Sequence, residues 1–220
     1  MTKLTAADGH TFDLYEVRPD DAAAAIVVIQ EIFGVNEHIR SVVDRYAAFG
    51  YHAVAPALFD RVKPGVELNY DGDGMTQGRE MAGEIKWEPA MHDLAATLAH
   101  VAGTGPVGVV GYCFGGSLAW LSANELPVAA AVGYYGGQIH SLIDRGPAVP
   151  TMLHFGELDG GIPLEQVAEI SKAHPDVEVH IYEGAQHGFS CDARGSFHPL
   201  SAAIALGRTL DFFVANGVKP

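Results

Sequence analysis

Gly111-Tyr112-Cys113-Phe114-Gly115 sets a thiol between two glycines, after the apolar run Pro106–Gly111 and before a segment of helical pattern. This is the G-x-nucleophile-x-G elbow of a strand-to-helix turn, with sulfur in the place of oxygen. Glycines are needed because the tight turn presses strand and helix backbones together. The helix N-terminus beside the sulfur favours a thiolate, the reactive form of cysteine. A buried packing cysteine is the competing reading, and the junction position argues against it.

A thiol that attacks acyl carbons needs a base and an acid to orient it, arriving here in the order nucleophile, acid, histidine. Asp159 closes Phe155-Gly156-Glu157-Leu158-Asp159 after an apolar strand. Glu157 competes with it, and the strand-Gly-x-x-acid spacing favours Asp159. Of 11 histidines, His187 in Gly184-Ala185-Gln186-His187-Gly188-Phe189 follows the terminal strand in a small-residue loop. His187 would take the thiol proton while Asp159 fixes its tautomer. The backbone N–H groups of Ile32 and Phe114 would hold the oxyanion.

Positioning these groups falls to alternating strands and helices. Strands are expected at Ala23–Gln30, His52–Phe59, Pro106–Gly111, Val128–Tyr135, Thr151–Phe155 and Val177–Tyr182. Helices fit from an Asn36 N-cap to Phe49, Pro89 to Val101, Gly115 to Asn124, Pro163–His174 and Leu200–Val214. The stretch from Arg61 to Gly83 has no clean period and reads as a long irregular loop. Such alternation implies a mostly parallel sheet with helices on both faces, as one domain over residues 1–220. The site then belongs beyond the carboxyl ends of the strands.

Composition narrows the partners. The chain of 220 residues is 48% hydrophobic and 18% charged, which suits a packed core. A net charge of −14 disfavours nucleic acid and anionic membranes. No signal-peptide core and no apolar run of spanning length is visible, so a cytoplasmic monomer or small homo-oligomer with reduced thiols is expected. His52, His92 and His100 lack metal spacing, the two cysteines form no zinc motif, and no phosphate-binding glycine loop occurs. No metal or cofactor is therefore expected. Trp87 and Trp120 read as packing residues, although Trp87 could line the pocket.

The chain resembles the dienelactone hydrolase family of the α/β-hydrolase fold over nearly its whole length. The resemblance rests on Gln30-Glu31-Ile32-Phe33-Gly34, the Gly-Tyr-Cys-Phe-Gly-Gly elbow, Gly-Glu-Leu-Asp and Gln-His-Gly-Phe. It implies that Glu31 pairs with the resting cysteine until substrate moves it; a carboxylate beside a thiol does disfavour thiolate. A strand-end residue capping backbone amides is the alternative for Glu31. The resemblance also implies that Arg79 binds a substrate carboxylate. Two positions depart from the family pattern: Cys191 stands where a second arginine is usual, with Arg194 three residues on, and Gly83 replaces a tyrosine. These departures bear on the substrate rather than on the triad, and Cys191 itself reads as a bystander.

The expected function is hydrolysis of a lactone or activated ester through an acyl-enzyme on Cys113, a substrate carboxylate being what the resemblance implies for Arg79. A general carboxylesterase or thioesterase with the same triad is one alternative. A thiol redox or ligand-binding protein on the same scaffold is the other.

Overall fold

The computed structural model describes all 220 residues. In chain order the first elements are β1 (Thr2–Thr5), β2 (Thr11–Val17), β3 (Ala25–Ile29), α1 (Glu37–Ala48) and β4 (His52–Pro56). Then come α2 (Gly72–Glu84), α3 (Trp87–Val101), β5 (Val107–Tyr112), α4 (Phe114–Glu125) and β6 (Ala130–Tyr134). The chain ends with β7 (Thr151–Gly156), α5 (Leu164–Ala173), β8 (Glu178–Tyr182) and α6 (Pro199–Ala215). The strands form one sheet in the order β1-β2-β4-β3-β5-β6-β7-β8. Only the β1–β2 and β2–β4 pairs are antiparallel.

The central strands are apolar throughout because both sheet faces are covered; every residue of β3 (AIVVI) and β5 (VGVVGY) is buried. Side chains three apart on a strand point to opposite faces, and two glycines of β5 display the two layers. A Cβ at Gly108 would strike the Phe213 ring of α6, whereas one at Gly111 would strike the α4 backbone. Helices thus cover both faces, as the alternating pattern implies. After β3 the chain crosses to β4 on one side, and β5 pairs with β3 on the other. That reversal opens a crevice at the carboxyl ends of β3 and β5.

Helix α1 starts where expected, the Asn36 side chain accepting from the Ile39 N–H at 3.2 Å. Three expectations need correction. The N-terminal hairpin β1–β2 was not anticipated; β1 is largely exposed, and in β2 only Phe12 and Leu14 are buried, too brief an alternation to mark a strand. The second strand stops at Pro56, and Leu58–Arg61 form a 3-10 turn instead. The supposed loop from Arg61 to Gly83 contains α2, whose glycines hid its period. Asp71 caps it, accepting from the Gly74 N–H at 2.7 Å. No helix is long and apolar enough to cross a membrane.

Candidate active site

Cys113 sits between β5 and α4 with φ 54° and ψ −113°, a conformation that costs a non-glycine residue about 1–3 kcal/mol. Surrounding bonds hold it there. Its N–H donates to the Tyr134 carbonyl at 3.0 Å, and its carbonyl accepts from Gly116 at 2.9 Å. Added carbon atoms at Gly111 and Gly115 would lie 1.8 Å from the Gly115 oxygen and 2.3 Å from the Ile29 oxygen. Gly111→Ala is therefore expected to lose about 4 kcal/mol or more of stability, seen as a lowered denaturation midpoint. Gly83→Ala, where a Cβ meets nothing within 4 Å, is the control and should be neutral or slightly stabilising.

The sulfur lies 3.1 Å from His187 Nε2, and His187 Nδ1 lies 2.7 Å from Asp159 Oδ2. The other Asp159 oxygen accepts from the Gly161 N–H at 2.9 Å, and its side chain is wholly buried. The three residues singled out in the sequence thus meet at one end of the sheet. Glu157, the competing acid, is exposed and accepts only from the Gly184 N–H. The His187 loop is pinned by the Ser196 hydroxyl, which donates to its carbonyl at 2.7 Å. Burial works against a charged imidazole, yet the hydrogen bonds to Asp159 and Cys113 outweigh it and lift the His187 pKa to about 10.

Ile32 lines the same pocket as Cys113, and its N–H donates to no acceptor within the chain. Phe114 opens α4, so its N–H belongs to the unpaired first turn. Both N–H groups thus lack a backbone acceptor within the chain. Gln30 steadies the Ile32 side: its amide donates to the Glu31 carbonyl at 3.1 Å and accepts from the Leu58 N–H at 3.1 Å.

The pocket encloses about 380 Å³ and is lined by Cys113, His187, Ile32, Arg79 and Arg194 among others. Arg79 reaches it from α2. Gly78 allows this close approach, since a Cβ there would stand 2.0 Å from the Ile32 carbonyl oxygen. Arg194 lies across Gly188, whose φ is +75°, with its guanidinium 5.8 Å from the ring centres of both Phe33 and Tyr70. Trp87 is absent from the lining and stacks on Phe114 at 5.7 Å. Trp120 is fully buried.

Glu31 departs from the pairing that the resemblance implied. Its fully buried carboxylate accepts from the Tyr70 hydroxyl at 2.8 Å and lies 3.3 Å from Arg194 Nη1. The thiol bonds to His187 instead. A cation and a phenol are stronger donors than a thiol, so they capture the carboxylate. Tyr70 and Tyr135 were not anticipated. Tyr135, at φ 38°, places its ring 5.0 Å from that of His187. No local spacing marks either residue. Burial and the neighbouring Glu31 charge push Tyr70 far above its ordinary pKa and Cys191 up to about 12.

A model of the dienelactone hydrolase family matches residues 12–216. The chain belongs to the dienelactone hydrolase family. Carboxymethylenebutenolidase of Pseudomonas putida is 37% identical over 220 residues, covering 95% of this chain and 93% of that protein. Carboxymethylenebutenolidase of Pseudomonas sp. strain P51 is 34% identical over 197 residues, covering 84% and 82% respectively. The structure of a Klebsiella pneumoniae protein assigned to the dienelactone hydrolases superposes with a TM-score of 0.84 at 29% identity, covering 96% of this chain and 97% of that one. An α/β-hydrolase fold and a carboxylic-ester hydrolase of the dienelactone hydrolase type follow from this membership.

Proposed function

We propose that the chain hydrolyses a carboxylate-bearing lactone or activated ester through an acyl-enzyme on Cys113. The observation that carries this reading is the 3.1 Å contact of the Cys113 sulfur with a histidine that Asp159 holds at 2.7 Å. A histidine that stays protonated to about pH 10 is the counter-ion a thiolate needs. The sulfur attacks the carbonyl carbon, and the oxyanion collects the Ile32 and Phe114 N–H groups. The C–O bond then breaks as His187 Nε2 protonates the leaving oxygen. In a lactone that oxygen stays tethered to the acyl group. Water, giving its proton back to His187, attacks the thioester; the C–S bond breaks and the acid leaves.

Two arginines at the mouth argue for an anionic substrate despite the chain's net charge of −14. Arg194 is already engaged with Glu31 at 3.3 Å, which leaves Arg79, exposed on α2, as the freer cation. Arg194, three residues beyond Cys191, supplies the second guanidinium of this pocket. Glu31 acts as a positioning residue that holds this guanidinium beside the pocket. A general carboxylesterase would need neither cation, and that contrast supplies the test. Arg79→Met is expected to lower kcat/KM roughly 10–100-fold for a carboxylate-bearing enol-lactone and to leave a neutral aryl ester nearly unchanged. Equal losses on both substrates, or none on either, would turn the reading toward the general esterase.

A further inference from the structure

Beside the pocket, a second cluster of donors shares Glu31 with the Arg194 contact but adds two side chains, His38 and Cys191, that have no part in the chemistry above. Glu31, His38 and Cys191 are all buried, and one ligand atom of each lies within 4.8 Å of the other two. His38 provides the observation that points to a ligand. Its Nδ1 lies 2.9 Å from Asp192 Oδ1, while its Nε2 is buried without any hydrogen-bond partner. A buried polar nitrogen left unpaired is costly, and an imidazole whose other nitrogen is tied to a carboxylate is the usual arrangement of a metal-ligating histidine. With Nδ1 tied to Asp192, Nε2 is the ring nitrogen left without a partner and open to a ligand.

We propose that Glu31, His38 and Cys191 form a binding site for a thiophilic divalent cation of the zinc class. The donor set is one thiolate, one imidazole and one carboxylate, which suits that class better than magnesium or calcium. Tetrahedral bonds of ~2.0–2.3 Å hold donors about 3.3–3.8 Å apart, so the three side chains need close by no more than about 1.5 Å from their present spread. The Cys191 thiol loses its proton to solvent as the metal–sulfur bond forms. A fourth position is left for water. A surface cleft of about 820 Å³ adjoins the cluster at His38 and Tyr70 and is lined by the acids Glu37, Glu67, Asp71 and Asp192. Its one arginine, Arg40, is paired with Glu67 at 2.7 Å. The site is separate from the Cys113 thiol, although Glu31 is common to it and to the Arg194 contact.

The test uses the full chain, stripped of metal by chelation, titrated with Co²⁺ and with Zn²⁺. One equivalent of Co²⁺ is expected to produce a thiolate-to-cobalt charge-transfer band that Zn²⁺ displaces. The band should persist in Cys113→Ala and vanish in Cys191→Ala. His38→Gln, whose fold is checked by circular dichroism, should abolish stoichiometric binding independently. Asp192→Asn should weaken it by roughly 10–100-fold. A band that survives Cys191→Ala but disappears in Cys113→Ala would overturn the proposal by placing the metal at the triad. Failure of the wild-type chain to bind either ion saturably would overturn it as well. None of these readouts depends on turnover, so the outcome is independent of the hydrolase mechanism.

Discussion

Cys113→Ala is expected to lower kcat on the order of 10⁶-fold toward any ester the wild-type chain hydrolyses. The size follows from geometry. The elbow holds one sulfur, 3.1 Å from His187 Nε2, above the strand ends, and the one hydroxyl of the lining, Ser196, donates to the His187 backbone carbonyl rather than to its ring. The remaining thiol, Cys191, is buried and pushed up to about 12, so it cannot substitute. Binding should survive, because Arg79, Arg194 and the apolar lining remain. Stopped-flow or steady-state assays with an activated aryl ester measure the effect, with substrate-analogue binding as the check on folding. Cys113→Ser should recover little, since a hydroxyl needs a far stronger push than a thiol to ionise.

His187→Ala should be nearly as damaging, because a triad acts as a unit and loses most of its advantage with any one member. Asp159→Asn, which keeps the shape but loses the charge that orients the ring, should cost about 10⁴-fold. The pH profile separates orientation from mere packing. The His187 pKa is raised from 6.5 to about 10, because its bonds to Asp159 and Cys113 outweigh the opposing cost of burial. A raised histidine pKa means the folded state holds the proton more tightly than the unfolded chain does. Its stabilising contribution is complete below about pH 6.5 and is lost as pH climbs through about 10. The wild-type kcat/KM should therefore keep an alkaline limb near pH 10. In Asp159→Asn that limb should move to lower pH, and a limb that stays put would mean Asp159 has no hold on the imidazole.

Much of this was readable because the chemistry is tied to chain punctuation. Gly111 and Gly115 bracket the cysteine, and each would clash with backbone if it carried a side chain; that steric demand is what makes the motif visible. Asp159 follows the buried strand β7 and His187 follows the last strand, β8, and parallel strands bring all such loops to one end. Helix α1 announced itself through Asn36 and a stripe of Ile39, Val42, Val43 and Tyr46. Helix α2 did not, because Gly74 and Gly78 serve close backbone contact with Asn69 and Ile32 rather than a buried stripe. The partners of Glu31 were hidden for a different reason. Tyr70 and Arg194 lie 39 and 163 residues from it, and only the folding of two loops over the strand ends brings them together. His38 and Cys191 share that remoteness, which is why no metal spacing could be read from them.

Whether Cys113 carries the acyl group can be measured directly. The Asp159→Asn chain, slowed in turnover, is mixed with an activated aryl ester, quenched in acid within one turnover, and analysed by intact mass and peptide mapping. One acyl group per chain on the peptide containing Cys113 is the predicted result. Product released with no adduct on that peptide, or with the acyl group carried by another residue, would contradict the account.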